Sequence, residues 1–144
     1  MTYLHGIIHG KECGFDTTFD VYVADGLTDF VKLFSPEKDR IWLAEANNQI
    51  VGSIAIVGRT RRKAQLRWFL VHPQYQGQGI GRRLLNLALQ FSKRQGYNSV
   101  FLWTISELTI ARSLYSNAGF RRTKQKTHMV WGKTVTEERY DLRL

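Results

Sequence analysis

Glycines at positions 77, 79 and 81, interleaved with Gln76, Gln78 and Ile80 and followed at once by Arg82 and Arg83, are the residues of this chain best suited to holding a ligand. Glycine lets backbone approach a ligand closely. Downstream, Ile80, Leu84, Leu87, Ala88 and Phe91 recur at helical spacing, so the glycines lie where a helix begins. A helix start leaves several N–H groups without partners at the positive end of the helix dipole, and such a place binds phosphate. Two cations in the first turn oppose that dipole unless a polyphosphate lies beside them, which is the chemistry Arg82 and Arg83 suggest. The G-x-G-x-G spacing departs from the dinucleotide fingerprint G-x-G-x-x-G, and the G-K-S/T ending of the phosphate loop is absent. Glycine spacing alone also suits a turn that only packs a helix against a strand.

The longer run Val71-His72-Pro73-Gln74-Tyr75-Gln76-Gly77-Gln78-Gly79-Ile80-Gly81-Arg82-Arg83-Leu84-Leu85 resembles the acyl-CoA signature of the GNAT superfamily of N-acyltransferases, Q/R-x-x-G-x-G/A. Gln76, Gly79 and Gly81 occupy its defined positions. Further on, Ala111-Arg112-Ser113-Leu114-Tyr115-Ser116-Asn117-Ala118-Gly119-Phe120 resembles the A-x-x-L-Y-x-x-x-G-F motif of the same superfamily. Two motifs in order are far harder to obtain by chance than one. Leu66-Arg67-Trp68-Phe69, Leu102-Trp103-Thr104 and Glu138-Arg139 are also similar to the acetyltransferase half of proteins that fuse a MarR-type DNA-binding domain to a GNAT domain. No room for a winged helix precedes Tyr3, so regulation of DNA by this chain alone is not expected.

The resemblance implies an acetyltransferase that uses acetyl-CoA as co-substrate and acetylates a primary amine of a small molecule or peptide by direct attack in a ternary complex; no metal is expected, since no metal-ligand spacing is present. It implies that backbone groups of Leu70 and Val71 pair with the pantetheine arm. It implies that N–H groups of Gln76, Gly77, Gln78, Gly79, Ile80, Gly81 and Arg82 hold the pyrophosphate. Tyr115 would stand near the sulfur, where a phenol can give the departing thiolate a proton or a hydrogen bond. Tyr115 equally suits a core aromatic on its helix, and both roles can hold at once.

The acceptor amine must lose a proton before it attacks. Relatives in the superfamily often carry a glutamate eight residues before the loop proline, where this chain has Gln65, with Arg67 two residues on; neither accepts a proton at neutral pH. Glu45, which interrupts the apolar run Ile41-Trp42-Leu43-Ala44, is the remaining carboxylate of choice, against its reading as a solvated strand-end group. Glu107 is the other candidate, though an acidic residue before a helix needs no function to explain it. Leu108 stands where relatives often have asparagine. Arg67, Trp68, Trp103 and Thr104 suit an acceptor pocket with an apolar wall and a fixed positive charge, which favours an acceptor with a carboxylate; tryptophans in strands are also ordinary core residues. His5, His9, His72 and His128 show no metal spacing, and His72 reads as part of the turn before the loop.

The elements that position these residues alternate in period. Phe19, Tyr22, Val23, Leu27, Phe30, Val31 and Phe34 trace one face of a helix over 18–34, with Gly26 in its middle. Residues 41–46 and 49–57 read as a hairpin around Asn47-Asn48, a pair that tolerates positive φ. A third antiparallel strand covers 64–71, then come the motif helix 79–94 stopped by Gly96, a strand over 99–104 apolar enough to be buried on both faces, and a helix over 108–118 stopped by Gly119. Strands over 121–131 and 136–144 close the chain. This predicts one α/β domain over 1–144, with a mixed, mostly antiparallel sheet flanked by helices. In it the resemblance implies that the motif strand and the strand 99–104 run parallel and splay to admit acyl-CoA. The alternating last strand suits addition to a partner subunit in a homodimer.

Composition sets the outer bounds. A chain of 144 residues with 43% hydrophobic content can bury one core. No stretch approaches the roughly 18 apolar residues of a membrane span, and the lone Cys13, which has no possible internal disulfide and reads as a small, partly buried residue, agrees with a reducing, cytoplasmic setting. The formal charge of +9 attracts anionic partners. Two other functions follow from these features: a module that binds or senses acyl-CoA without turnover, kept open by Gln65, and a nucleic-acid binder gripping phosphates with Arg59, Arg61, Arg62 and Lys63. That basic run has a simpler account as a solvated hairpin tip near the 3′-phosphate of CoA.

Overall fold

A computed structural model describes residues 14–144; His5, His9 and Cys13, with the expectations attached to them, lie outside the described residues. The elements run α1 (Thr17–Lys32), β1 (Arg40–Ala46), β2 (Gln49–Gly58), β3 (Lys63–Val71), a short 3-10 turn (Pro73–Tyr75), α2 (Ile80–Arg94), β4 (Ser99–Ile105), α3 (Thr109–Asn117), β5 (Arg121–Val130) and β6 (Lys133–Arg143). The six strands form one sheet in the order β1-β2-β3-β4-β6-β5. Every neighbouring pair is antiparallel except β3 with β4. The hairpin turn carries Asn47 and Asn48 at φ 52° and 62°, the left-handed conformation that its tight geometry demands.

The sheet buries both faces. On one, α2 and α3 lay Leu84, Leu85, Ala88, Phe91 and Tyr115 over Ile54, Ile56, Leu66, Val100 and Leu102. On the other, α1 lays Phe19, Val23 and Phe30 over Ala55 and Trp68. Gly26 fits this second contact: a Cβ built there would come within 3.0 Å of Arg67 and 3.2 Å of Trp68. The glycine that looks like a helix defect lets α1 lie close to β3.

Several expectations change. Leu87 of α2 is exposed and Leu85 is buried in its place, because the face that meets the sheet is rotated toward Leu84 and Ala88. Strand β4 alternates instead of burying both faces: Val100, Leu102 and Thr104 are buried while Ser99, Phe101 and Trp103 are half-buried, with Arg139 over the Phe101 ring and Lys126 over that of Trp103 in place of an apolar layer. The last strand cannot extend the sheet into a partner subunit. It lies inside the sheet, paired with β4 on one side and β5 on the other, so its edges are already used.

Candidate active site

Strand β3 changes phase at Trp68. Ser53 pairs with Leu70 and Ala55 with Arg67, so Trp68 and Phe69 together oppose Ile54, a β-bulge with Trp68 at φ 50°. The buried Ser53 hydroxyl donates to the Trp68 carbonyl at 2.6 Å and so satisfies a group that the bulge displaces. Arg67 and Trp68 consequently both face α1, whereas Phe69 turns to the opposite side, where its ring lies 5.9 Å from that of Tyr115. Pairing of β3 with β4 covers Lys63↔Ser99, Ala64↔Val100 and Gln65↔Phe101 and then ends. Beyond Gln65 the two strands part, and a cavity of about 820 Å³ occupies the gap.

This cavity joins nearly all the residues singled out from the sequence. Its wall includes Arg67, Trp68, Leu70, Val71, Trp103, Thr104 and Tyr115, together with Gln76, Gly77, Gly79, Ile80, Gly81 and Arg82; Gln78 does not line it. At the start of α2, Gly79 is the N-cap in the left-handed region (φ 85°), no side chain caps the helix, and its first turn carries no acid. The uncapped helix start, Gly79 to Arg82, thus lines the cavity with a cation and no acid in its first turn, an arrangement suited to an anion. Gly81 has a packing role, since a Cβ there would sit 3.1 Å from Leu114 Cδ1. The Gln76 amide donates to the Val71 carbonyl at 3.1 Å and ties the loop to the strand end. His72 caps the 3-10 turn, its Nδ1 accepting from the Gln74 N–H at 3.1 Å.

Tyr115 is 4% exposed, packed between Phe69, Phe120 and Tyr140, and its hydroxyl makes no hydrogen bond among the described residues. Burial holds its phenol pKa above the ordinary value, so at neutral pH the group is a proton donor only.

Glu45 requires correction. It is exposed on the edge strand β1 and does not line the cavity, because β1 and the gap are separated by β2 and β3. Glu107 does line the cavity, but Lys133 Nζ lies 3.1 Å from its carboxylate. Gln65 accepts from Arg59 Nε at 2.7 Å. The basic run 59–63 is also displaced: it precedes β3, whereas the glycine loop follows it, so a nine-residue strand separates them by about 25 Å at roughly 3.3 Å per residue. It cannot neighbour a phosphate held at the glycine loop.

The sequence reading missed the far wall. Phe15, Phe19, Tyr22 and Trp131 form an aromatic cluster with centroid separations of 4.9 to 6.4 Å, and Arg67 lies 4.4 Å above the Trp68 ring and 5.9 Å above that of Tyr22. Lys126 Nζ sits 5.0 Å over Trp103. Lys126, His128 and Val130 alternate along β5, a visible period of two, but which strand they would face was not readable without β6 beside them. Among the described residues no cluster of three or more His, Cys, Asp or Glu side chains is placed to hold a metal, and no helix is long and apolar enough to cross a membrane.

Comparison with known proteins agrees with this architecture. The family model described as Acetyltransferase (GNAT) family matches residues 11–120. The chain is 31% identical to human N-acetyltransferase 8B over 122 residues, covering 81% of this chain and 54% of that protein. It is 34% identical to rat N-acetyltransferase 8F1 over 105 residues, covering 69% and 48%. It thus spans about half the length of these relatives. Among solved structures, a GNAT family acetyltransferase from Elizabethkingia anophelis with acetyl-CoA bound superposes with a TM-score of 0.67 at 21% identity, covering 83% of this chain and 82% of that one. The putative acetyltransferase yncA from Salmonella typhimurium with its cofactor acetyl-CoA gives 0.70 at 21% identity, covering 83% and 72%. With both sequence motifs placed on one cavity, a bulged and splayed strand pair between them, and a family match over most of its length, this chain belongs to the GNAT acetyltransferase family.

Proposed function

We propose that this domain transfers an acetyl group from acetyl-CoA to a primary amine by direct attack within a ternary complex. The observation that carries this reading is a single cavity that connects the uncapped start of α2, through the gap between β3 and β4, to a charged and aromatic wall on the α1 side. Two substrates entering from opposite sides of the sheet would meet in that gap. The relatives' names as N-acetyltransferases and the acetyl-CoA named with two structural neighbours support the choice of donor.

In this reading the N–H groups of residues 76–82 hold the pyrophosphate, assisted by Arg82, and the backbone of Leu70, paired with Ser53 on the β2 side and lying beyond the last β3–β4 pair on the other, lies along the pantetheine arm. The Val71 carbonyl is shared with the Gln76 amide. Tyr115 gives its proton or a hydrogen bond to the sulfur as the C–S bond breaks. The acceptor lies on the aromatic cluster, and Arg67 favours a small molecule or peptide that carries a carboxylate near its amine. The similarity to the acetyltransferase half of MarR fusions adds no DNA contact to this scheme, because the basic run 59–63 lies away from the cavity.

One feature favours a second reading, an acyl-CoA-binding module without turnover: Gln65 stands where relatives often have glutamate and is bound to Arg59. Turnover with any amine eliminates it. Thermal unfolding with and without acetyl-CoA, with dephospho-CoA as control, tests what both readings share. Binding at about 100 times Kd adds about 2.7 kcal/mol, a shift of several degrees in Tm. An unchanged Tm at saturating acetyl-CoA overturns both.

A further inference from the structure

The α1-side wall of the cavity holds a hydrogen-bonded imidazole–carboxylate pair. His128 Nε2 lies 2.5 Å from Glu137 Oε2, and both residues line the cavity, with side chains 39% and 16% exposed. Glu137 stands directly across from Lys126 in the β5–β6 register, and His128 reaches it diagonally from two residues further along β5. Lys126 Nζ lies 3.6 Å from the same carboxylate oxygen. With Nε2 donating to the carboxylate, the ring's lone pair is left on Nδ1.

We propose that His128 is the group that takes the proton from the acceptor amine, with Glu137 as a positioning residue that holds its ring and tautomer. This rests on the acetyltransferase reading given above. Among the described residues, the charged side chains that line the cavity are Arg67, Arg82, Glu107, Lys126, His128 and Glu137. Arginine and lysine are already protonated at neutral pH and have no lone pair to offer. Glu107 is tied to Lys133, and Glu137 is engaged by Lys126 and His128. Histidine is the side chain that exchanges protons near neutrality, and the imidazolium formed at His128 would face a carboxylate already in place.

The placement agrees with the chemistry. Glu137 alternates along β6 with Glu138 and Tyr140, and Tyr140 packs on Tyr115 beneath α3, so Glu137 and His128 stand on the opposite side of the sheet from Tyr115. Base and acid thus flank the gap. In the balanced step, His128 removes one proton from the ammonium and the neutral nitrogen attacks the thioester carbonyl. The C–N bond forms and the C–S bond breaks. The sulfur departs with the electron pair and takes the Tyr115 proton, the second proton on the nitrogen passes to the tyrosinate oxygen and restores the phenol, and His128 releases its proton to water.

The test uses acetyl-CoA with 2-phenylethylamine and L-phenylalanine, amines matched to the aromatic wall and to Arg67, followed by thiol release from pH 6 to pH 10. For His128→Gln the expected result is an unchanged acetyl-CoA thermal shift with kcat lowered about 100-fold or more at pH 7, the deficit narrowing as alkali deprotonates the amine. A kcat within about threefold of the parent and an unaltered pH profile overturn the proposal. So does a parent protein that is stabilised by acetyl-CoA but acetylates neither amine, and that outcome leaves the acetyl-CoA site standing. A parent protein with no acetyl-CoA shift sinks the acetyltransferase reading itself. If His128→Gln does not fold, Glu137→Gln is compared with Glu137→Asp: about a tenfold loss of kcat with an acid limb moved in pH, partly rescued by Asp, supports the pair, and an unmoved acid limb rejects it.

Discussion

Gly26 of α1 lies against the guanidinium of Arg67, so closely that a Cβ at position 26 would stand 3.0 Å from Arg67 Nη2 and 3.2 Å from Trp68 Cζ2. The helix thereby sets where the cationic side of the cavity sits. In Gly26→Ala, the gain in helix propensity, up to about 1 kcal/mol, works against displacement of these two side chains. The flexible guanidinium yields more readily than the indole. Net stability should change by less than about 1 kcal/mol in urea unfolding, while KM for L-phenylalanine rises several-fold and KM for 2-phenylethylamine, which lacks the carboxylate, stays near its parent value.

Tyr115→Phe separates catalysis from packing. The hydroxyl has no hydrogen-bond partner among the described residues, so its loss should change Tm little and leave the acetyl-CoA shift intact, while kcat falls about 100-fold. Burial raises the phenol pKa above its unfolded value. The stabilisation linked to that shift is fully present below the unfolded value of about 10 and is lost as pH climbs from there toward the folded value, at up to about 1.4 kcal/mol per pH unit. Chemical denaturation between pH 8 and pH 11 should show this alkaline slope in the parent and a shallower one in Tyr115→Phe.

Gly79 tests the loop backbone. It caps α2 at φ 85° with no atom within 4 Å of a Cβ built there, so Gly79→Ala meets strain but no clash. The expected cost is about 1 to 2 kcal/mol, read by urea unfolding. Asparagine, which tolerates the left-handed region, should cost less.

The buried carboxylate of Glu138, 1% exposed, is braced by Arg112 Nε at 3.2 Å and Arg122 Nη1 at 2.8 Å, which joins α3 and β5 to β6. Arg112→Met removes the cation beside Oε1, an oxygen with no hydrogen-bond partner among the described residues. It should destabilise the fold by about 1 to 3 kcal/mol in denaturant unfolding, because the buried carboxylate keeps its desolvation cost while Arg122 still braces it. Glu138→Gln should cost less, since the buried charge disappears with the substitution.

Local pattern carried much of this protein. Helical spacing located α1, α2 and α3 within two residues at either end, the Asn47-Asn48 turn specified the hairpin, and glycine geometry with uncompensated cations singled out the loop 76–83, most of which lines the cavity. These features depend on neighbours in the chain, where backbone sterics and short-range periodicity suffice.

What the tertiary structure decided is which residues share a space. The bulge at Trp68 turns Arg67 and Trp68 to one side and Phe69 to the other, an offset that strict alternation along β3 misassigns. Glu45 looked like an interrupted apolar run but stands on an edge strand away from the cavity, and β6, last in the chain, lies inside the sheet. His128 and Glu137 are nine residues apart and meet only because β5 and β6 pair in a particular register. Register and strand order arise from long-range burial and hydrogen bonding, and no local period in the sequence records either.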